Sequence, residues 1–208
     1  MITIIDYGLG NIQAFLNIYK KLHIPVQVAK GRGDLKSASK LILPGVGHFD
    51  YAMQKFNDSG MREEVERLVL QDNIPVLGVC VGMQIMANSS EEGVESGLGW
   101  ISGTVKSLKL IVKVDNNFPL PHMGWNGVTP NHKDLFNNID SGDLEFYFLH
   151  SYYFDCTFQE SCIASTGYSS NFCCAVNNKN IFGVQFHPEK SHHFGVTLLK
   201  NFSELGRC

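Results

Sequence analysis

The chain of 208 residues lacks long apolar runs and carries little charge, since Asp, Glu, Lys and Arg make up 18% of it. No apolar segment approaches the roughly 20 residues of a membrane-spanning helix, so no membrane association is expected. Lys and Arg are scattered and the formal net charge is −3, which leaves no basic stripe for nucleic acid. Low-complexity segments and internal repeats are also missing. With 44% hydrophobic residues, residues 1–208 are predicted to form one domain.

Patterns typical of metal sites and disulfides are missing as well. The six cysteines include no C-x-x-C pair, and the neighbours Cys173 and Cys174 cannot both bind one tetrahedral metal without distortion. His187, His192 and His193 invite a metal interpretation, but neither a metal nor a cofactor is expected. The first residues have no positively charged leader and no small-residue cleavage site. Reduced thiols and a cytoplasmic location are therefore expected.

The most informative segment is 74–84, which reads IPVLGVCVGMQ. An apolar strand there leads Cys80 into a Gly-x-Cys-x-Gly turn, the pattern of a nucleophile elbow, where side chains at Gly78 or Gly82 would crowd a strained backbone. A helix predicted over 83–87 would point its amino end at the sulfur and favour a thiolate. A cysteine at a buried strand end can also be a small core residue, so the elbow alone leaves both interpretations open.

A second segment supplies partners for a nucleophile. Residues 181–189 read IFGVQFHPE, an apolar strand ending in His187. Residues two apart on an extended chain share a side, so Glu189 can accept a hydrogen bond from His187 and fix the tautomer that takes the Cys80 proton. A histidine at a strand end is more often structural, but here a carboxylate accompanies it. Order and spacing predict a Cys80, His187, Glu189 catalytic triad.

The rest of the chain alternates strand-like and helix-like runs, which predicts an α/β fold with a mostly parallel central sheet and helices on both faces. Further strands are predicted at 2–6, 25–28, 40–43 and 76–79, and helices at 11–22, 51–71 with a break near Gly60, and 194–205. Short strand-like runs at 109–114 and 146–149 predict a smaller antiparallel portion within 100–153.

These motifs resemble the class I, triad-type glutamine amidotransferases, which release ammonia from glutamine through a cysteine thioester. Three further runs are similar to the glutaminase subunits of imidazole glycerol phosphate synthase: 4–11 (IIDYGLGN), 43–49 (LPGVGHF) and 121–126 (PHMGWN). The resemblance covers essentially the whole chain. It implies the flavodoxin-like fold of class I amidotransferases and L-glutamine as substrate. It also implies that the partner is a separate (β/α)8-barrel cyclase subunit, in a heterodimer within histidine biosynthesis.

The glycine-rich run 45–47 follows a predicted strand, where open α/β sheets place their ligands. Its glycines would let backbone N–H groups approach an oxyanion, although a tight turn without chemistry is the alternative. By resemblance, the oxyanion hole is assigned to Val46, Gly47 and the Val81 N–H.

Glutamine carries an ammonium and a carboxylate, so its pocket needs an acidic group and several donors. The resemblance assigns glutamine binding to Gly45, Gln84, Glu92, Ser151 and Tyr152. The assignment of Glu92 stays open, because the run 89–93 (SSEEG) could be a solvated loop and Glu91 is one residue away.

The glycine turn at 7–11 suggests a dinucleotide site only weakly, because no acidic residue ends the second strand. Together with Trp125 and Asn126, Asn11 in this turn is interpreted as part of the face that meets the synthase partner. Trp125 could equally be a core aromatic residue.

Two other functions stay open. A paralogous glutaminase could supply ammonia to a sugar-amidating synthase in surface-polysaccharide assembly, since Val81 replaces the usual leucine and the runs 162–174 and 192–194 depart from the family. The other is a catalytically silent regulatory subunit, but the complete triad argues against it.

For the glutaminase subunit, low activity of the chain alone and strong stimulation by the partner are predicted.

Overall fold

The computed structural model describes residues 1–113, 117–139 and 144–206. In these ranges the strands are β1 (Ile2–Ile5), β2 (Val26–Ala29), β3 (Lys40–Gly45), β4 (Val76–Cys80), β5 (Ser89–Ser90), β6 (Gly103–Ser107), β7 (His122–Pro130), β8 (Glu145–His150), β9 (Tyr152–Cys156), β10 (Cys162–Tyr168), β11 (Ser170–Asn178) and β12 (Ile181–Val184). The α-helices are α1 (Ile12–Lys21), α2 (Phe49–Asp58), α3 (Arg62–Glu66), α4 (Val81–Gln84) and α5 (His192–Glu204). A π-helical turn, Arg67–Gln71, extends α3, and 3-10 helices span Arg32–Ser37, Leu108–Leu110, Gln159–Ser161 and Pro188–Lys190.

Nine strands form the central sheet in the order β2-β1-β3-β4-β12-β11-β10-β7-β8. The strands from β2 to β12 in this order are parallel, and those from β12 to β8 pair antiparallel. The antiparallel portion is therefore larger than expected and makes up half of the sheet. A second sheet has the order β5-β6-β9.

The parallel half positions the site. Strands β4 and β12 are buried along their whole length, as parallel strands covered on both faces require. The crossovers from β1 to β2 and from β3 to β4 run in opposite directions along the sheet. Because such crossovers are right-handed, α1 and α2 lie on opposite faces. The carboxyl ends of β3 and β4 meet at one edge, where Gly45 pairs with Cys80.

Helices cover both faces of this half. On one face α1 packs on α5, and the Tyr19 hydroxyl donates to the Leu199 carbonyl at 3.1 Å. On the other face α2 contacts α4. None of the helices in the described ranges is long and apolar enough to cross a bilayer.

Two predicted elements differ from the structure. The strand predicted over 109–114 is wrong where it can be compared, because Leu108–Leu110 form a 3-10 helix; Val114 lies outside the described residues. The Ser107 hydroxyl caps this helix by accepting from the Lys109 N–H. The helix predicted over 83–87 begins at Val81 and ends at Gln84, a single turn, so its dipole is smaller than predicted.

Candidate active site

Cys80 ends β4 and directly precedes α4, with a backbone φ of +55° and ψ of −115°. A positive φ in a non-glycine residue is strained by roughly 1–3 kcal/mol and persists only where the surroundings enforce it. The surroundings do so here: a Cβ on Gly82 would lie 1.9 Å from the Leu43 oxygen, and one on Gly78 would lie 2.7 Å from the Gly82 oxygen. Cys80 therefore sits in the sharp turn that the glycine spacing predicts.

His187 lies immediately after β12 and is buried. Its Nδ1 is 3.0 Å from Glu189 Oε1, and its ring interacts with Cys80, which lines the same cavity. The structure thus brings the three predicted triad residues into one chain of contacts. Their local geometry differs from the prediction, because Glu189 reaches the ring from a 3-10 turn and not from an extended strand. The Ser191 hydroxyl holds that turn by donating to the His187 carbonyl at 2.6 Å.

The charges around His187 determine its protonation. Burial acts to lower its pKa, but its hydrogen-bonding and charge interactions with Cys80 and Glu189 outweigh burial and raise the pKa to about 10. The Glu189 side chain is itself buried, and its Oε2 has no hydrogen-bond partner among the described residues. His187 therefore carries its proton at neutral pH, ready to protonate a leaving group beside Cys80.

A cavity of about 290 Å³ opens in front of this triad. Its lining joins residues from β4, α4, β8 and the loops after β3 and β12: Val46, Gly47, Cys80, Val81, Gln84, Glu92, Pro121, Leu149, His150, Ser151, Tyr152, His187 and Lys190. Every predicted oxyanion-hole residue lines it, and so do four of the five residues predicted to bind glutamine. Glu189 lies behind His187, outside the lining.

Gly45 is the predicted glutamine-binding residue that does not line the cavity. A Cβ there would lie 2.2 Å from the Gly82 nitrogen, so its glycine allows β3 to approach the elbow. The following residues, Val46 and Gly47, turn toward the cavity, and Gly47 has a φ of +92°. The Tyr7 hydroxyl fixes this segment by donating to the Pro44 carbonyl at 2.6 Å.

Glu92 lies on the cavity, whereas Glu91 turns away from it. The Glu92 Oε2 accepts from the Phe49 N–H, the first residue of α2, at 2.9 Å. The Glu91 Oε2 accepts from the Ser107 N–H on β6. Asp50 ties the same loop to α2 by accepting from the Val94 and Glu95 N–H groups. Glu92 thus ties the run 89–93 to α2, while Ser89 and Glu91 are exposed.

Gln84 is buried and links the cavity wall to the nucleophile. Its Nε2 donates to the Tyr152 carbonyl at 3.2 Å and to Gln185 Oε1 at 3.0 Å. The Gln185 Nε2 in turn lies 3.7 Å from the Cys80 Sγ. These contacts hold the thiol, α4 and the start of β9 in fixed relative positions.

Comparison with known proteins identifies the family. Residues 3–204 match the model of the family described as glutamine amidotransferase class-I. The chain belongs to this family.

Two relatives are similar to this chain over their full length. The chain is 57% identical over 206 residues to the imidazole glycerol phosphate synthase subunit HisH of Bdellovibrio bacteriovorus, covering 99% of this chain and 100% of the relative. It is 52% identical over 206 residues to the protein of the same name from Leptospira interrogans, with the same coverage.

Solved structures confirm the predicted fold. One described as a glutamine amidotransferase superposes with a TM-score of 0.74 at 17% identity, covering 97% of this chain and 96% of that one. A chain in the structure of PurLQS from Thermotoga maritima gives a TM-score of 0.72 at 14% identity, covering 97% of this chain and 96% of that one.

Four cavity residues of this amidotransferase, Pro121, Leu149, His150 and Lys190, were not predicted from the sequence. Gln185 was missed too, although a polar residue between Val184 and Phe186 in a buried strand is a recognisable signal. Leu149 and His150 gave no comparable signal, because only the meeting of β8 with the elbow places them at the site. Pro121 and Lys190 reach the cavity from the segments before β7 and after β12.

The residues predicted to meet a partner occupy different environments. Asn11 is exposed and directly precedes α1. Trp125 is 43% exposed and stacks on His192 with ring centroids 4.9 Å apart, so the core-aromatic alternative does not hold. Asn126 is anchored, because its Nδ2 donates to the Gly167 carbonyl at 2.8 Å.

The glycine turn at 7–11 is explained by packing, because a Cβ on Gly10 would lie 2.6 Å from Pro44.

The cysteines of the described ranges are all free thiols. The Sγ atoms of Cys156 and Cys173 lie 3.8 Å apart, and Cys208 lies outside the described residues. In those ranges no group of three or more His, Cys, Asp or Glu is arranged to hold a metal ion.

Proposed function

We propose that this amidotransferase is the glutaminase subunit of an imidazole glycerol phosphate synthase in histidine biosynthesis. It hydrolyses L-glutamine to L-glutamate and passes the ammonia to a separate (β/α)8-barrel cyclase subunit in a cytoplasmic heterodimer, residues 1–208 forming one domain. The chain of contacts from Cys80 through His187 to Glu189 at the cavity carries the chemistry. The full-length similarity to proteins named as subunits of that synthase supports the pathway.

The first half of the reaction forms a thioester. The Cys80 thiolate attacks the side-chain carbonyl carbon of glutamine, and the carbonyl oxygen takes up the negative charge. The N–H groups of Gly47 and Val81 are the proposed oxyanion donors, with Val46 supplying the adjoining peptide. When the tetrahedral intermediate collapses, the C–N bond breaks and His187 gives its proton to the leaving nitrogen, which departs as ammonia.

The second half releases glutamate. After giving up its proton, His187 is neutral and takes a proton from the attacking water as the water adds to the thioester carbonyl. Collapse of this intermediate breaks the C–S bond and returns the Cys80 thiolate beside a protonated His187. Glu189 holds the ring through Nδ1 in both halves, which leaves Nε2 for the proton transfers.

The apolar edge of the cavity supports a partner that docks over it. Met123 on β7 and Leu149 on β8 are paired in register, and both are exposed. Leu149 lines the cavity, and exposed Trp125 lies two residues from Met123 on the same side of β7. We call Met123, Trp125 and Leu149 the apolar rim. A partner that covers the rim would close the cavity against water and receive ammonia directly.

The test is glutamate release with and without the cyclase subunit carrying its nucleotide ligand. Slow release by the chain alone and an increase of roughly 5- to 150-fold with the cyclase are expected. Met123→Asp should lower the stimulation and keep the basal rate, because a buried charge weakens docking. Leu70→Asp is the matched control, since Leu70 is also exposed but far from the cavity. Glutaminase activity that the cyclase does not raise would instead indicate another synthase, such as a sugar-amidating one.

Glu92→Gln tests the proposed contact with the substrate ammonium. The glutamine side chain keeps an oxygen for the Phe49 N–H but loses the negative charge, so KM for glutamine should rise roughly tenfold or more with a smaller change in kcat. Glu91→Gln is the matched control, because Glu91 also accepts one backbone N–H but faces away. Equal effects of the two substitutions on KM would argue against a substrate contact by Glu92.

A further inference from the structure

Two buried histidines, one at the wall of the cavity and one behind it, have no part in the mechanism above. His122 on β7 and His150 on β8 face each other in register, with His122 Nδ1 2.9 Å from His150 Nε2. Aromatic rings enclose the pair: His122 stacks between Phe148 and Tyr168 at centroid distances of 4.7 and 4.0 Å. Burying a hydrogen-bonded polar pair among apolar rings costs desolvation free energy, so the two histidines are expected to have a specific role.

The hydrogen bonds of the pair run in one direction. The Tyr152 carbonyl can only accept, so His150 Nδ1, 2.7 Å away, must donate to it. If the rings are neutral, His150 Nε2 then accepts from His122 Nδ1, and His122 Nε2 accepts from Asn126 Nδ2 at 3.1 Å. The Asn126 amide is oriented independently, because its Nδ2 donates to the Gly167 carbonyl and its Oδ1 accepts from the Gly127 N–H.

Both rings are held in the neutral form. Burial lowers the pKa of His122 to about 4. Burial also lowers the pKa of His150, and so do the charge interactions it would have with protonated His122 and with His187; against the Tyr152 hydrogen bond, they bring it to about 3. Each ring therefore has one donor and one acceptor at neutral pH, and this fixes the direction of the hydrogen bonds from Asn126 to the Tyr152 carbonyl.

The series of hydrogen bonds from Asn126 through His122 to His150 ends at the wall of the pocket. The Tyr152 carbonyl that His150 holds also accepts from Gln84, and His150, Ser151 and Tyr152 all line the cavity. Ser151 is the one residue between β8 of the central sheet and β9 of the second sheet, and its carbonyl accepts from the Leu108 N–H. Backbone pairing holds Tyr152 to β6, and the side chains of His150 and Gln84 add two hydrogen bonds that fix its carbonyl.

We propose that Asn126, His122 and His150 are positioning residues for glutamine: their one-way chain of hydrogen bonds fixes the Tyr152 carbonyl, and with it the wall formed by Ser151 and Tyr152. This inference rests on the proposed function of the cavity as the glutamine site. The three residues act through Tyr152 and not on the reacting atoms. Their loss should therefore weaken glutamine binding and leave the chemical steps nearly unchanged.

Glutamine binding is measured by calorimetry on the Cys80→Ala protein, which cannot turn the substrate over. Asn126→Asp keeps the size of the side chain but replaces the donor to His122 with an acceptor, and an affinity at least about tenfold lower is expected. His122→Phe keeps the ring stacking and removes both hydrogen bonds, and a similar loss is expected. Asn57→Asp is the matched control, since exposed Asn57 accepts from Arg62 through Oδ1, which Asp retains.

Two further readouts separate positioning from general loss of structure. With Cys80 intact and the partner present, Asn126→Asp should raise KM for glutamine roughly tenfold and change kcat less than about twofold. Imidazole ¹⁵N NMR at pH 7 should show both rings neutral with the proton on Nδ1, and Asn126→Asp should place a proton on His122 Nε2.

The results of these experiments distinguish failure of the positioning role from failure of the proposed function. Unchanged glutamine affinity in both variants, or a proton on Nε2 of His150 in the wild type, would overturn the positioning role. If the Cys80→Ala protein itself bound no glutamine, the proposed function would fail instead, and the NMR experiment would still test the direction of the chain.

Discussion

Cys80→Ala is expected to lower glutamine hydrolysis by a factor of roughly 10⁴ to 10⁶ in the presence of a stimulating partner. The thiolate is the group that forms the thioester, and no other cysteine of the described ranges lines the cavity. Water cannot replace it efficiently, because the cavity positions the glutamine carbonyl against the sulfur and not against a bound water. The measurement is glutamate release over time at saturating glutamine.

Cys156→Ala is the control for this experiment, because Cys156 is a half-buried free thiol far from the triad. It should retain wild-type activity. A thiol-reactive glutamine analogue should label the wild type and the Cys156→Ala protein on Cys80, and leave Cys80→Ala unlabelled. Wild-type rates from Cys80→Ala under the same stimulation would show that the nucleophile is another group.

The parts of the site that follow from local sequence could be predicted. Gly78 specifies a sharp turn because a Cβ there would clash with the Gly82 oxygen and Met83, and this constraint acts over a few residues. His187 and Glu189 are close in sequence, so their contact could be predicted even though the predicted backbone conformation was wrong. In each case the relevant atoms are separated by few bonds.

The remaining parts depend on how distant strands meet. His122 and His150 are 28 residues apart, and only the antiparallel pairing of β7 with β8 brings their rings together. Antiparallel register depends on which faces are buried across several strands, and half of the central sheet is of this kind. Leu108 shows the same limitation at short range. The apolar residues of the run 109–114 that follows it suggest a strand, but the Ser107 cap and burial of Leu108 produce a 3-10 helix over Leu108–Leu110.

Gly82→Ala should destabilise the fold by about 3 kcal/mol or more, the upper range for forced overpacking. Gly82 lies in α4, where alanine is intrinsically favoured over glycine by up to about 1 kcal/mol, so helix propensity alone predicts the opposite sign. The clash decides the sign, because the new Cβ would lie 1.9 Å from the Leu43 oxygen. That oxygen belongs to the backbone of β3 and cannot rotate away. The measurement is the free energy of unfolding from urea titration.

The same substitution should also damage catalysis beyond its effect on stability. Any shift that relieves the clash separates β3 from α4, and this junction carries Gly45 opposite Cys80 and the loop with the proposed oxyanion donors. The folded fraction of Gly82→Ala should therefore have a lower kcat than wild type. Gly33→Ala is the control, because a Cβ there meets no atom within 4 Å, and it should change neither stability by more than about 0.5 kcal/mol nor kcat. A Gly82→Ala protein as stable as Gly33→Ala would mean that the elbow is not held by close contact with β3, and the strained φ of Cys80 would need another cause.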